Sequence, residues 1–287
     1  MSHQAYDLIR PETRTTSVVF ASPHSGRDYP ARFLLETVLD EREIRSSEDA
    51  FVDDLFAVAP DCGAPFLRAC APRSYLDLNR APEELDPALI AGVRRVSPNA
   101  RVASGLGVIP RVVAGGQPIY RGKISLEEAH GRILNVWRPY HDTLQTLLDE
   151  SHRAFGSAIL IDCHSMPHEA LVNARTADGK RPDIVLGDRF GAAASPRIVG
   201  RIESLFAEAG LTVARNMPFA GAYIVQHYGR PSRRQHAVQI EVDRSLYMDE
   251  HTLERTADFD GFRTLLSGIV AQIADIGRTG RTALAAE

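Results

Sequence analysis

Short apolar runs rich in β-branched residues alternate along this chain with stretches whose apolar residues recur at helical spacing, and this alternation constrains the fold most. Ser17–Ser22 (SVVFAS) reads as a buried strand that stops at a polar turn, Pro23-His24-Ser25-Gly26. Ala50–Ala59 sets Phe51, Leu55, Val58 and Ala59 at helical spacing behind Glu48 and Asp49, two acids suited to a helix start. Leu126–Glu150 places Ile133, Trp137, Tyr140, Leu144, Leu147 and Leu148 on one helix face, with Pro139 expected to divide or kink it. Ala158–Ile161 is another strand-sized run, followed at once by Asp162-Cys163-His164-Ser165. A short strand at Ile184–Leu186, a helix at Ile198–Ala209 ended by Gly210 and a strand at Leu211–Ala214 come next. An alternating segment at His236–Val242 and a long helix at Leu253–Ile276 complete the series. Strands separated by helices predict an open α/β/α sandwich.

A length of 287 residues fits one or two domains, and no repeat, low-complexity block or linker divides the chain, so one domain over 1–287 is predicted. Lys+Arg 33 against Asp+Glu 37 gives a net charge of −4, with no basic surplus to condense on phosphates. Nucleic acid and anionic membranes are thereby disfavoured as partners, and a small molecule is expected. No apolar run approaches the roughly 20 residues that span a bilayer, and Met1–Arg14 lacks the apolar centre of a secretory signal. The three cysteines, Cys62, Cys70 and Cys163, form no CxxC pair, which suits a reducing cytoplasm. Oligomeric state is not encoded in any of these features.

Candidate chemistry gathers where apolar runs stop, because ligands of open α/β sheets bind beyond strand ends. His24 follows SVVFASP and His164 follows AILIDC. Two such imidazoles with a carboxylate make a zinc ligand set that leaves a fourth position for water. Glu48, Asp49 and Asp162 are the available acids; helix capping accounts equally for the first two. Asp162 shares the strand period of His164, as a ligand itself or as the carboxylate that holds the imidazole. His168-Glu169 is not part of a metalloprotease helix, because Pro167 would break the turn that aligns two ligands. Glu241, between apolar neighbours, suits a general base, and an ion pair with Arg244 explains it equally well. Arg80, closing the alternating run Tyr75–Arg80, has the planar fork that grips a carboxylate. Arg111 and Arg121 lie near glycines in loops, and Tyr223 is placed either to cover a ligand or to fill a core.

Taken together, Ser22-Pro-His-Ser-Gly26, Ser47-Glu-Asp-Ala50, Asp77-Leu-Asn-Arg80, the RPYH of Arg138–His141, Asp162-Cys-His-Ser165 and Gln239-Ile-Glu-Val-Asp-Arg244 occur in an order that resembles the N-formylglutamate amidohydrolase family. The resemblance implies a zinc-dependent amidohydrolase with one Zn²⁺ per chain. It also implies a fold similar to zinc carboxypeptidases and aspartoacylase, a phosphorylase/hydrolase-like three-layer sandwich with a mixed central sheet. Carried over by position, His24 and His164 become the imidazole ligands and Asp49, ahead of Glu48, the carboxylate ligand. Glu241 becomes the base, and Asn79-Arg80 the pair that binds a substrate carboxylate, with Arg111 or Arg121 assisting. The peptidases place a glutamate three residues after their first histidine; here that position is Arg27. The implied substrate is a small anionic N-acyl amino acid such as N-formylglutamate, split to glutamate and formate. Two other readings are a cysteine amidase using Cys163 and a relative that binds without turnover; adjacent strand residues point to opposite faces, which separates Cys163 from His164.

Overall fold

In the computed structural model, which describes residues 4–94, 99–176 and 179–278, seven strands form one sheet. They are β1 (Tyr6–Ile9), β2 (Val18–Ser22), β3 (Phe66–Ala69), β4 (Ala158–Met166), β5 (Ile184–Gly187), β6 (Val213–Arg215) and β7 (Gln235–Asp243), in the order β1-β3-β2-β4-β7-β5-β6. β4 runs parallel to both β2 and β7, and β5 runs parallel to β6 but antiparallel to β7. The α/β fold with a mixed central sheet predicted above is the fold observed.

β4 and β7 are buried at all nine positions each and pair in register from Ala158 opposite Gln235 to Met166 opposite Asp243. Strands covered on both faces read as continuous runs, and the alternation of His236–Val242 therefore sorts two buried faces. The expected strand Ala158–Ile161 extends five residues further. β7 supplies backbone partners as far as Met166, so the polar residues Asp162 to Ser165 stay inside the strand.

The other boundaries shift for local reasons. The helix predicted at Ala50–Ala59 contracts to Val52–Leu55 because Phe51 adopts a left-handed φ of 64°. The last helix starts at Phe259, since Leu253 is also left-handed and Glu254–Arg255 pairs with Met248–Asp249. Pro139 does not divide its helix: Leu126–Arg132 leads through a π-helical turn, Ile133–Trp137, into Arg138–Phe155. The wider turn just before Pro139 accommodates its ring and its missing N–H.

Two compact units make up the chain. One comprises Met1–Asp7, Pro23–Ala50 and Arg68–Thr143, with a core cluster of Phe33, Ile44, Val113 and Ile119. The buried Arg132 guanidinium lies 4.1 Å over the Tyr75 ring there, a cation–π contact. The other comprises Leu8–Ser22, Phe51–Leu67 and Leu144–Glu287, and holds β2 and β4 to β7 whole. In it the helices Pro196–Glu208 and Phe259–Ile276 contact each other, and each buries an apolar face, Val199, Ile202 and Phe206 on the first and Leu266, Ile269 and Ile273 on the second. Ser195 caps the first of these, and Pro196 occupies its first turn. Among the described residues no helix is long and apolar enough to cross a membrane.

Candidate metal centre

β2 ends at Ser22, and the chain turns at once through Pro23 and His24. Gly26 permits this turn, because a Cβ there would stand 2.2 Å from the carbonyl oxygen of Ala71. The Asp28 N–H donates to the Cys70 carbonyl at 2.9 Å, fixing the same segment, and the Asp49 N–H donates to the His24 carbonyl at 3.0 Å. Backbone bonds therefore hold Asp49 beside His24.

His24 is buried, with Nε2 2.7 Å from Asp77 Oδ1. Asp77 also accepts from Arg73 Nε at 3.1 Å and from the Asn79 N–H at 2.8 Å. Burial pushes the Asp77 carboxyl up, but Arg73, His24 and Arg80 together hold it well below the usual carboxylate range. An ionised Asp77 makes Nε2 the protonated nitrogen and leaves a lone pair on Nδ1. That Nδ1 lies 3.6 Å from Asp49 Oδ2, beyond hydrogen-bond reach. Two lone pairs at this spacing gain by sharing a cation.

The second imidazole stands on β4. His164 pairs with Glu241 of β7, and Asp162 with Gln239, so these four side chains share one face of the sheet. His164 Nε2 lies 3.1 Å from Asp162 Oδ1, and Gln239 Nε2 donates to Glu241 Oε1 at 2.7 Å. Arg244 Nε donates to Ser165 Oγ at 3.2 Å, and its Nη1 lies 3.7 Å from Glu250 Oε2. Cys163 is buried, and its thiol is pushed well above its ordinary value by burial and the charge of Asp162. With its side chain on the face opposite His164, it is unsuited to be a nucleophile.

One ligand atom each from His24, Asp49 and His164 lies within 4.8 Å of the other two, and all three residues are buried. Two imidazoles and a carboxylate are the donors of hydrolytic zinc sites. Glu48 is committed elsewhere: it accepts from Tyr29 Oη at 2.5 Å and from Arg45 Nε at 3.2 Å, and burial raises its pKa. Neither acid caps the next helix, whose N-cap is Phe51.

Arg80 is nearly buried, its Nε donating to the Leu106 carbonyl at 3.0 Å and Nη1 to the Asn79 carbonyl at 2.9 Å. Tyr75–Arg80 is a turn segment and not a strand, and two side chains of the following helix fasten it. Trp137 Nε1 donates to the Arg80 carbonyl at 2.9 Å, and His141 Nε2 to the Leu78 carbonyl at 2.9 Å. Arg111 is paired with Asp86 at 2.9 Å, Arg121 is exposed, and Tyr223 stacks on His227 with ring centroids 5.0 Å apart. His168 starts a 3-10 turn and binds Asp243 through Nδ1 at 2.7 Å, consistent with its exclusion from a metalloprotease helix. Sequence reasoning missed Asp77, Trp137, His141 and Gln239. The advance signal for Asp77, His141 and Gln239 was membership of the same polar motifs, and for Trp137 its place on the apolar face of the Leu126–Glu150 helix.

Residues 16–248 match the family described as "FGase: N-formylglutamate amidohydrolase". The chain is 32% identical over 240 residues to the N-formylglutamate deformylase of Pseudomonas putida, covering 81% of this chain and 82% of that protein. The deformylase of Pseudomonas aeruginosa is likewise 32% identical, over 241 residues, with the same coverage. The crystal structure of N-formylglutamate amidohydrolase from Ralstonia eutropha JMP134 is similar with a TM-score of 0.89 at 34% identity, over 97% of this chain and 99% of that one. The Agrobacterium tumefaciens product Atu2144 shares the fold, with a TM-score of 0.66 at 16% identity over 96% and 95% of the two chains.

Proposed function

The chain belongs to the N-formylglutamate amidohydrolase family, and from that membership and the buried His24–Asp49–His164 group we propose that it is a zinc-dependent amidohydrolase cleaving N-formylglutamate to glutamate and formate. The observation that carries the metal reading is the 3.6 Å approach of His24 Nδ1 to Asp49 Oδ2, with Asp77 fixing the proton on the far nitrogen. Zinc held by these three residues would supply a Lewis acid for the amide carbonyl and a water acidified to a pKa near ~7.

The remaining work falls to the chain's own groups. Glu241 takes the proton of the attacking water and returns it to the departing amine. Asp77 holds His24 with the other ring nitrogen presented to the metal, and Asp162 places its carboxylate 3.1 Å from His164 Nε2. Arg80, its guanidinium steadied by two backbone carbonyls and with Asn79 beside it, binds a substrate carboxylate. Arg111, Arg121 and Tyr223 are further substrate contacts in this scheme, with Arg111 the weakest because Asp86 already neutralises it. Three free thiols suit action in a reducing cytoplasm.

Metal analysis with a hydrolysis screen of N-formyl, N-acetyl and N-succinyl glutamate and aspartate tests the proposal. About one zinc per chain and formate release from N-formylglutamate are expected, both lost in His24→Ala and His164→Ala. Full zinc loading of those variants overturns the ligand set, and preference for another acyl group overturns the substrate.

A further inference from the structure

Gln239 and Glu241 are polar side chains on one face of β7, 4% and 7% exposed, joined by the 2.7 Å bond from Gln239 Nε2 to Glu241 Oε1. The surroundings of Gln239 are fixed on both flanks. Asp162 lies opposite it on β4, and Gly187 opposite it on β5. A Cβ on Gly187 would stand 2.8 Å from the backbone of Ala220 and Gly221, so that backbone occupies the space beside the amide.

The arrangement is costly for a purely structural residue. Gln239 Oε1 is buried and accepts no hydrogen bond from any described residue. An apolar side chain of similar shape would fill the position without an unmet acceptor. The amide cannot be reversed to relieve this, because its oxygen would then face the Glu241 carboxylate. A cation in its place would pair with Glu241 and weaken it as a base, whereas an amide anchors it without adding charge.

We propose that Gln239 is a positioning residue for the hydrolysis, holding one oxygen of the Glu241 carboxylate so that the other is presented to the attacking water. The inference rests on Glu241 being the base.

Kinetics on N-formylglutamate of zinc-loaded Gln239→Leu, Gln239→Met, Glu241→Gln and the Gln239→Leu/Glu241→Gln double variant, with zinc content and Tm, test it. The Gln239 variants are expected to lose about 10- to 100-fold in kcat with little change in KM. Zinc content stays full and Tm is unchanged or raised, a combination that a merely structural residue would not produce. The double variant is expected to be no slower than Glu241→Gln alone. Wild-type kcat in both Gln239 variants, with Glu241→Gln inactive, overturns the positioning role and leaves the base intact. Losses that track a falling Tm, or that add in full to that of Glu241→Gln, also overturn it. Full activity in Glu241→Gln removes the reading of the base itself.

Discussion

At the scale of residues, the chemistry of His24 is decided by a carboxylate 53 positions away. Asp77, kept ionised by Arg73 and its neighbours, selects the tautomer of the imidazole and its orientation. Asp77→Asn is therefore expected to weaken metal affinity by about 10- to 100-fold with the fold retained, measured by competitive titration against a chromophoric chelator. Unchanged affinity would show that His24 needs no such partner. The two histidines were legible in sequence because each follows an apolar run that ends in polar residues. Asp77 was not, since Tyr75–Arg80 alternates like a strand yet folds as turns fastened by Trp137 and His141. Glu48 and Asp49 are equivalent acids on paper. They differ in space because Tyr29 and Arg45 occupy the former.

At the scale of elements, apolar runs located the strands but not their ends. β4 outlasts its apolar stretch because backbone pairing to β7 continues beneath polar side chains, and no periodicity reports that. The helix around Pro139 survives for a similar reason, with a π-helical turn taking up the local misfit. The turn after β2 is the most demanding connection in the metal region, since Gly26 packs directly on the backbone of Cys70 and Ala71. Gly26→Ala forces backbone apart and is expected to destabilise the protein by about 1–3 kcal/mol and lower its zinc content. Denaturant unfolding and metal analysis check both. A variant that keeps wild-type values for each would show that the turn yields freely.

At the scale of the whole molecule, the candidate ligands come from positions 24, 49 and 164, so only the folded chain gathers the group. Metal that binds the native state alone stabilises it by about 2.7 kcal/mol at a hundredfold excess over Kd. Chelation is accordingly expected to lower Tm in the wild type and to leave His164→Ala unmoved, read by thermal unfolding with and without chelator. An equal shift in both would place the stabilising metal elsewhere. The pairing of β4 with β7 also sets which kinds of change the protein tolerates. Side chains on a strand alternate between faces, so deleting one residue ahead of His164 or Glu241 within its strand would turn that residue to the opposite layer while leaving the composition nearly intact. Point substitutions on these strands alter the site by degrees, whereas a single-codon deletion would abolish it in one step. Length variation among natural or engineered relatives should therefore fall in the connections and spare the strand segments leading to these two residues.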